Sequence, residues 1–162
     1  MPTLVHLADE RDFKKILSAG IKVRKNGQGV YCMPVLPDFY VTHQWLRELK
    51  RFGAKSIVGV YFKVDSSELV YAGKFSEQHK HIPLGKAIKE IMSLQDPLGY
   101  ELIIDRKIKP KEICNIKPLP HNVGWRYLPG SNGTIPCTCE FCLRGRIKGK
   151  RMKESVESKK KD

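Results

Sequence analysis

Three of the chain's five cysteines fall within six residues, in the stretch CTCEFC, at Cys137, Cys139 and Cys142. That spacing brings three thiolates within reach of one ion, and tetrahedral zinc takes four nitrogen or sulfur ligands. His121, sixteen residues before Cys137, is one available fourth ligand, and Cys114 and Cys32 are the alternatives. The pattern predicts a closed, structural Zn2+ site, since reactive thiols rarely come in threes at ligand spacing. An odd cysteine count argues against a disulfide framework. Directly after the cysteines, LRGRIKGKRMK carries Arg144, Arg146, Lys148, Lys150 and Arg151, and Arg126 lies between Trp125 and Tyr127. A run of cations suits phosphates, and rings beside an arginine suit an unstacked base. A third set is dispersed: His6 in LVHL, Tyr31 and Tyr40 in GVYCMPVLPDFY, and Glu101 in GYELIID. Singly, each of these has an ordinary structural reading; their order and framing carry the information.

The elements that must position them follow from the residue pattern. LVHL reads as a short strand. Asp9 then caps a helix whose Phe13, Ile16 and Leu17 share one face, and Gly20 stops it. GVYCMPV is a second strand, entered through an Asn26-Gly27 turn. Asp38 starts a second helix with Val41, Trp45, Leu49 and Phe52 as its buried stripe, ended by Gly53. SIVGVYFKV has the β-branched, near-continuous apolar character of a central strand. ELVYAG is another strand. PLGKAIKEIMSL is helical by the spacing of Leu84, Ile88, Ile91 and Met92. YELIID and EICNIKPL are strands separated by KIKPKE. His79 and His81, in SEQHKHIP, are too isolated for a metal site and read as surface residues, with a place in a substrate loop as the alternative. The sum is three helices and six short strands, an α+β chain.

A histidine strand leading to a capped helix, a Gly-Val-Tyr strand followed by Tyr40, and a glutamate opening a late strand form an ordered set. In this respect residues 4–119 resemble the histidine–tyrosine–glutamate branch of the ADP-ribosyltransferase superfamily, which includes diphtheria-toxin-like enzymes and poly-ADP-ribose polymerases. The resemblance implies a split, mixed β-sheet with flanking helices and NAD as substrate. It implies that Glu101 stabilises an oxocarbenium-like transition state at the nicotinamide-side ribose. His6, with Leu7 and Ala8, would hold the dinucleotide. Tyr40 is the better match for the ring that stacks on nicotinamide, with Tyr31 as the alternative. Gly29 would let the backbone approach the ligand. Two departures carry meaning. Ala8 stands where the family has Thr, Ser or Gly, which removes a side-chain hydroxyl beside His6. Gly99, two before Glu101, replaces the Gln or Glu of arginine-directed enzymes, so arginine is disfavoured as acceptor. No GxGxxG is present, which excludes a Rossmann site.

Net charge is +13 over 162 residues, with +6 in residues 143–162 and +7 in the rest. Such a balance favours polyanions, nucleic acid (DNA or RNA) before anionic membrane. No apolar run reaches the roughly 18 residues needed to span a bilayer. The start turns charged within ten residues and lacks a signal-peptide pattern, so a cytoplasmic protein is expected. The chain thus divides into a catalytic domain at 1–119, an irregular zinc-fixed segment at 120–142 and a basic tail at 143–162. The functional expectation is a mono-ADP-ribosyltransferase acting on nucleic acid, a toxin or defence effector that an antitoxin or a hydrolase accompanies. A protein acceptor, plain NAD hydrolysis, or a non-catalytic zinc-stabilised nucleic-acid-binding module are the alternatives. The zinc expectation is testable directly. The purified chain should carry one equivalent of zinc by elemental analysis, and a chelator should lower its melting temperature; a metal-free protein with an unchanged melt excludes the site.

Overall fold

Strand β1 (Thr3–Asp9) lies inside a seven-stranded sheet and holds it together unevenly. The structure, a computed structural model, describes residues 1–51 and 53–120. The other strands are β2 (Val30–Pro34), β3 (Ile57–Lys63), β4 (Leu69–Lys74), β5 (Lys80–Pro83), β6 (Tyr100–Ile104) and β7 (Ile113–Pro118). Their order across the sheet is β5-β4-β6-β2-β1-β3-β7. β1 pairs with β3 over seven residues, Thr3↔Lys63 to Asp9↔Ile57, but with β2 over only two, Leu4↔Pro34 and Val5↔Met33. The sheet is therefore two lobes, β7-β3-β1 and β2-β6-β4-β5, joined at a narrow seam. All ladders among the described residues are antiparallel, which corrects the expected mixed sheet. The reason is connectivity: no helix here links two neighbouring parallel strands.

The main core fills one face. Leu4, Cys32, Phe62, Ala72, Leu102 and Ile104 from five strands pack there against Ile16 of helix α1 (Phe13–Ala19) and Leu84, Ala87 and Ile91 of helix α4 (Leu84–Ser93). Asp9 does cap, but its carboxylate closes a 3-10 turn at Glu10–Asp12 ahead of α1. Only Ile16 of the expected α1 stripe is buried; Phe13 and Leu17 stay exposed. Gly20 ends α1 at φ +76°, and a Cβ there would meet the Ile108 carbonyl. On α4, Met92 is exposed rather than buried, because it sits about 80° around the helix from Leu84.

The expected second helix is broken into α2 (Phe39–Thr42) and α3 (Leu46–Arg51). Asp38 caps α2 through the Val41 amide at 3.1 Å. The Thr42 hydroxyl then donates back to the Asp38 carbonyl (2.9 Å), and the His43 ring donates to Phe39 O (2.9 Å). Gln44 is fully buried and bonds far away: its Oε1 accepts from the Gly99 amide at 2.6 Å, and its Nε2 donates to Pro97 O at 3.2 Å. The Trp45 indole donates to Tyr100 O at 2.9 Å. These bonds outweigh helical continuity and tie the break to the start of β6. Val41 is buried and Leu49 half-buried as expected. Under these helices lie two small clusters, Val5–Met33–Val41 and Leu46–Ile57–Leu119.

Strand β5 was not anticipated, being four mostly exposed residues at the sheet's edge, only two of them apolar. Arg106, just past β6, clamps Glu68 (2.7 and 2.8 Å) and Glu112 (3.0 and 2.7 Å). Among the described residues no helix is long and apolar enough to cross a membrane. Gly29 enters β2 so close to β6 that a Cβ would overlap the Ile104 carbonyl and press on the Ile103 side chain. Gly29→Ala should therefore cost about 1–3 kcal/mol in denaturant melts, the usual scale of overpacking; an unchanged midpoint would show that the strands can part there freely.

Candidate functional site

Beyond Val5↔Met33 the β1–β2 ladder stops, and the His6 side chain occupies the gap. His6 Nδ1 lies 2.7 Å from the carbonyl oxygen of Tyr31. A carbonyl can only accept, so Nδ1 carries the proton and Nε2 is left as an acceptor. Burial holds the imidazole below its ordinary pKa; the Tyr31 carbonyl opposes this, and the nearby Arg24 charge adds to it. His6 is thus neutral at physiological pH, with one lone pair to offer.

Tyr31 is the hub. Its backbone accepts from His6, while its side chain belongs to the face opposite the main core. Tyr31 pairs with Ile103, and Glu101 follows two residues away on the same face of β6. The Tyr31 phenol is 45% exposed, and its pKa is raised by burial and then by the negative charge of Glu101. Glu101 itself is 8% exposed on a strand whose five residues are all buried. Desolvation lifts its carboxyl above the usual range, and His79 pulls in the opposite direction. A buried carboxyl beside an accessible ring is a pairing seen at ligand sites more than in cores.

His79 is the residue that the sequence reading missed. Its Nε2 lies 3.0 Å from Glu101 Oε1, and its Nδ1 lies 3.0 Å from Glu77 O. Both side chains are mostly buried. The register explains the approach. Gly73 of β4 stands opposite Glu101, and a Cβ at Gly73 would lie 3.2 Å from His79 Cα and 3.3 Å from its Cγ. The glycine leaves the space through which the imidazole reaches across β4. The hairpin turn before His79 holds Ser76 at φ +64°, a left-handed conformation uncommon outside glycine. Tyr71 and His81 stack beside this group, ring centroids 4.3 Å apart.

The remaining expected residues are placed as follows. Leu7 is half-buried and pairs with Gly59; Ala8 pairs with Val58, and its side chain joins the main core. Gly29 serves the approach of β6, a duty that needs no ligand. Tyr40 is 42% exposed on α2, and its hydroxyl makes no hydrogen bond among the described residues. Cys32 is buried in the main core, with its thiol pushed far up by desolvation. Cys114 is exposed and donates to Tyr61 O. His121, Cys137, Cys139, Cys142, Arg126, Arg144, Arg146, Lys148, Lys150 and Arg151 lie outside the described residues, within which no cluster of three metal-ligating side chains occurs. A cavity of about 380 Å³ is lined by Phe39, His43, Tyr61 and Lys117 among others, and neither His6 nor Glu101 contributes to it.

Compared with known proteins, the chain matches no family model, no curated protein and no solved structure.

The seam bond has a measurable signature. His6→Ala should lose about 1 kcal/mol or more by leaving the Tyr31 carbonyl without its donor, while His6→Asn, whose amide can replace Nδ1–H, should lose less. His6 and His43 both have lowered pKa values, caused first by burial. The unfolded chain therefore binds their protons first, near pH 6.5, and stability should fall as pH drops below that value. In His6→Asn that acid slope should be shallower in denaturant melts; an identical slope would remove His6 as a contributor.

Proposed function

We propose that the chain is an NAD-dependent mono-ADP-ribosyltransferase that modifies nucleic acid, working as a toxin or defence effector. The observation that carries this reading is the buried Glu101 beside the exposed Tyr31 phenol on one face of the sheet, with His6 bonded to the Tyr31 carbonyl from the core face. Together these supply a carboxylate and a ring face on one side of β2 and a hydroxyl-accepting imidazole nitrogen at the seam. In the proposed reaction the bond between nicotinamide and ribose breaks, and its electron pair leaves with nicotinamide. Positive charge grows on the ribose, where the desolvated carboxylate of Glu101 is worth most. Tyr31 is the ring this geometry favours for stacking on nicotinamide, ahead of Tyr40. His6 Nε2 accepts from a ribose hydroxyl of the dinucleotide. Arg24, close enough to act on His6, offers a cation for the pyrophosphate. The net charge of +13 supports a polyanionic acceptor. The Zn2+ site at Cys137, Cys139, Cys142 and His121, with the basic segment after it, belongs to the same proposal as a phosphate-gripping end.

The test is a transfer assay with NAD labelled on its adenylate phosphate, offered single-stranded DNA, duplex DNA, RNA and protein in turn. Label should appear on one class of nucleic acid, and Glu101→Gln should reduce it by about a hundredfold or more. The variant should not melt below wild type at pH 7. Burial raises the Glu101 pKa, so its favourable contribution to stability is full below about pH 4.3 and declines as pH rises through the folded value. Glutamine removes that cost, and its amide can take the carboxyl's place beside His79 Nε2. Label on protein alone would overturn the nucleic-acid acceptor, and intact NAD in every mixture would overturn the transferase.

A further inference from the structure

Glu77 O determines the chemistry of the His79–Glu101 contact. Because that carbonyl accepts from His79 Nδ1, the ring's Nδ1 is protonated in every state in which this bond exists. Nε2 then faces Glu101 Oε1 at 3.0 Å. Two lone pairs do not meet at that distance in a buried setting, so one proton lies between them. The pair is either imidazolium with carboxylate or neutral imidazole with carboxylic acid, and both distributions are electrically neutral. The contact also occupies one oxygen only.

We propose that His79 is a positioning residue for Glu101: through a single shared proton it fixes Oε1 and leaves Oε2 as the oxygen that meets the reacting ribose. The inference rests on the transferase reading for its last step, and on the geometry alone for the rest. When the acceptor attacks the ribose carbon, that bond forms, the bond to nicotinamide breaks with its electron pair leaving on nicotinamide, and the acceptor's proton passes to Oε2. The shared proton moves fully onto His79 as positive charge develops, so the carboxylate is most negative at the transition state. Resetting the pair releases one proton to water, which balances the reaction. Other groups face this pair as follows. β2 contributes the Tyr31 phenol, whose pKa is raised by burial and by the Glu101 charge. β4 contributes Gly73, with no side chain, and Tyr71, whose ring stacks on His81 of β5; Lys74 lies on the other face, paired with Asp96 at 3.9 Å. The α2–α3 break contributes the Gln44 amide and Trp45 indole, neither of which titrates. An alkaline change in activity is assigned to the His79–Glu101 pair by its loss in His79→Gln, which leaves Tyr31, Tyr71 and His81 in place.

Two measurements test this. In the first, kcat is followed against pH for wild type, His79→Ala and His79→Gln, using whichever acceptor takes label. Wild type should lose activity on the alkaline side as the shared proton departs. His79→Ala should lose about a hundredfold in kcat, the scale of a misplacement near 1 Å, with KM for NAD little changed. His79→Gln, which donates to Oε1 without titrating, should recover most of kcat and lack the alkaline fall. Superimposable profiles for wild type and His79→Gln would overturn the proposal while leaving the transferase intact. The second measurement needs no activity: near neutral pH, ¹⁵N-resolved proton NMR should show a downfield His79 Nε2–H that is absent in Glu101→Gln. Its absence from wild type would overturn the shared proton; its presence in a protein that transfers nothing would keep the pair and reject the transferase.

Discussion

One hydrogen bond, from His6 to the carbonyl of Tyr31, stands where a backbone ladder would otherwise run, and the arrangement of the sheet depends on it. A continuous ladder would close β1 onto β2 along their length. A gap with no donor would leave a carbonyl unpaired. The imidazole satisfies the carbonyl while keeping the strands apart, and it still has a second nitrogen to offer.

Around that seam the fold works to hold β6 still. All five of its residues are buried, it is flanked by β2 and β4, and the Gln44 and Trp45 side chains grip the backbone at Pro97, Gly99 and Tyr100 just before Glu101. This rigidity carries a cost, because a carboxyl kept out of water resists ionisation. A group so placed is poor for stability and well placed for electrostatic work, where the charge to be met appears on the ligand. The broken α2–α3 segment belongs to the same arrangement, since an unbroken helix would turn Gln44 away from the Gly99 amide.

Much of the frame was legible in the residues. A β-branched run gave β3, the Asn26-Gly27 turn marked the entry to β2, and Gly20 marked the end of α1, because these depend on short-range pattern. What was hidden depended on register. Trp45 and Leu49 fit a helical stripe, and nothing local shows that Gln44 bonds 55 residues away. Tyr31 and Tyr40 are equally aromatic; only the pairing of Tyr31 with Ile103 brings one of them to Glu101. His79 lies in a polar turn that reads as surface, and its reach depends on a glycine in the neighbouring strand, so the signal was split between Gly73 and His79. Gly29 also lies against another strand, and that close approach to β6 depends on a pairing no local pattern shows.

His79 immediately precedes β5, the last strand on its side of the sheet among the described residues. An edge strand of four residues is bonded to the sheet on one side only, so it opens at far lower free energy than β6, which is paired on both sides. The two halves of the His79–Glu101 contact thus belong to opposite ends of the molecule's stability range. The carboxylate is as permanent as the fold, and its partner is as transient as the rim, so a local fluctuation that leaves the core untouched is enough to uncover the acid.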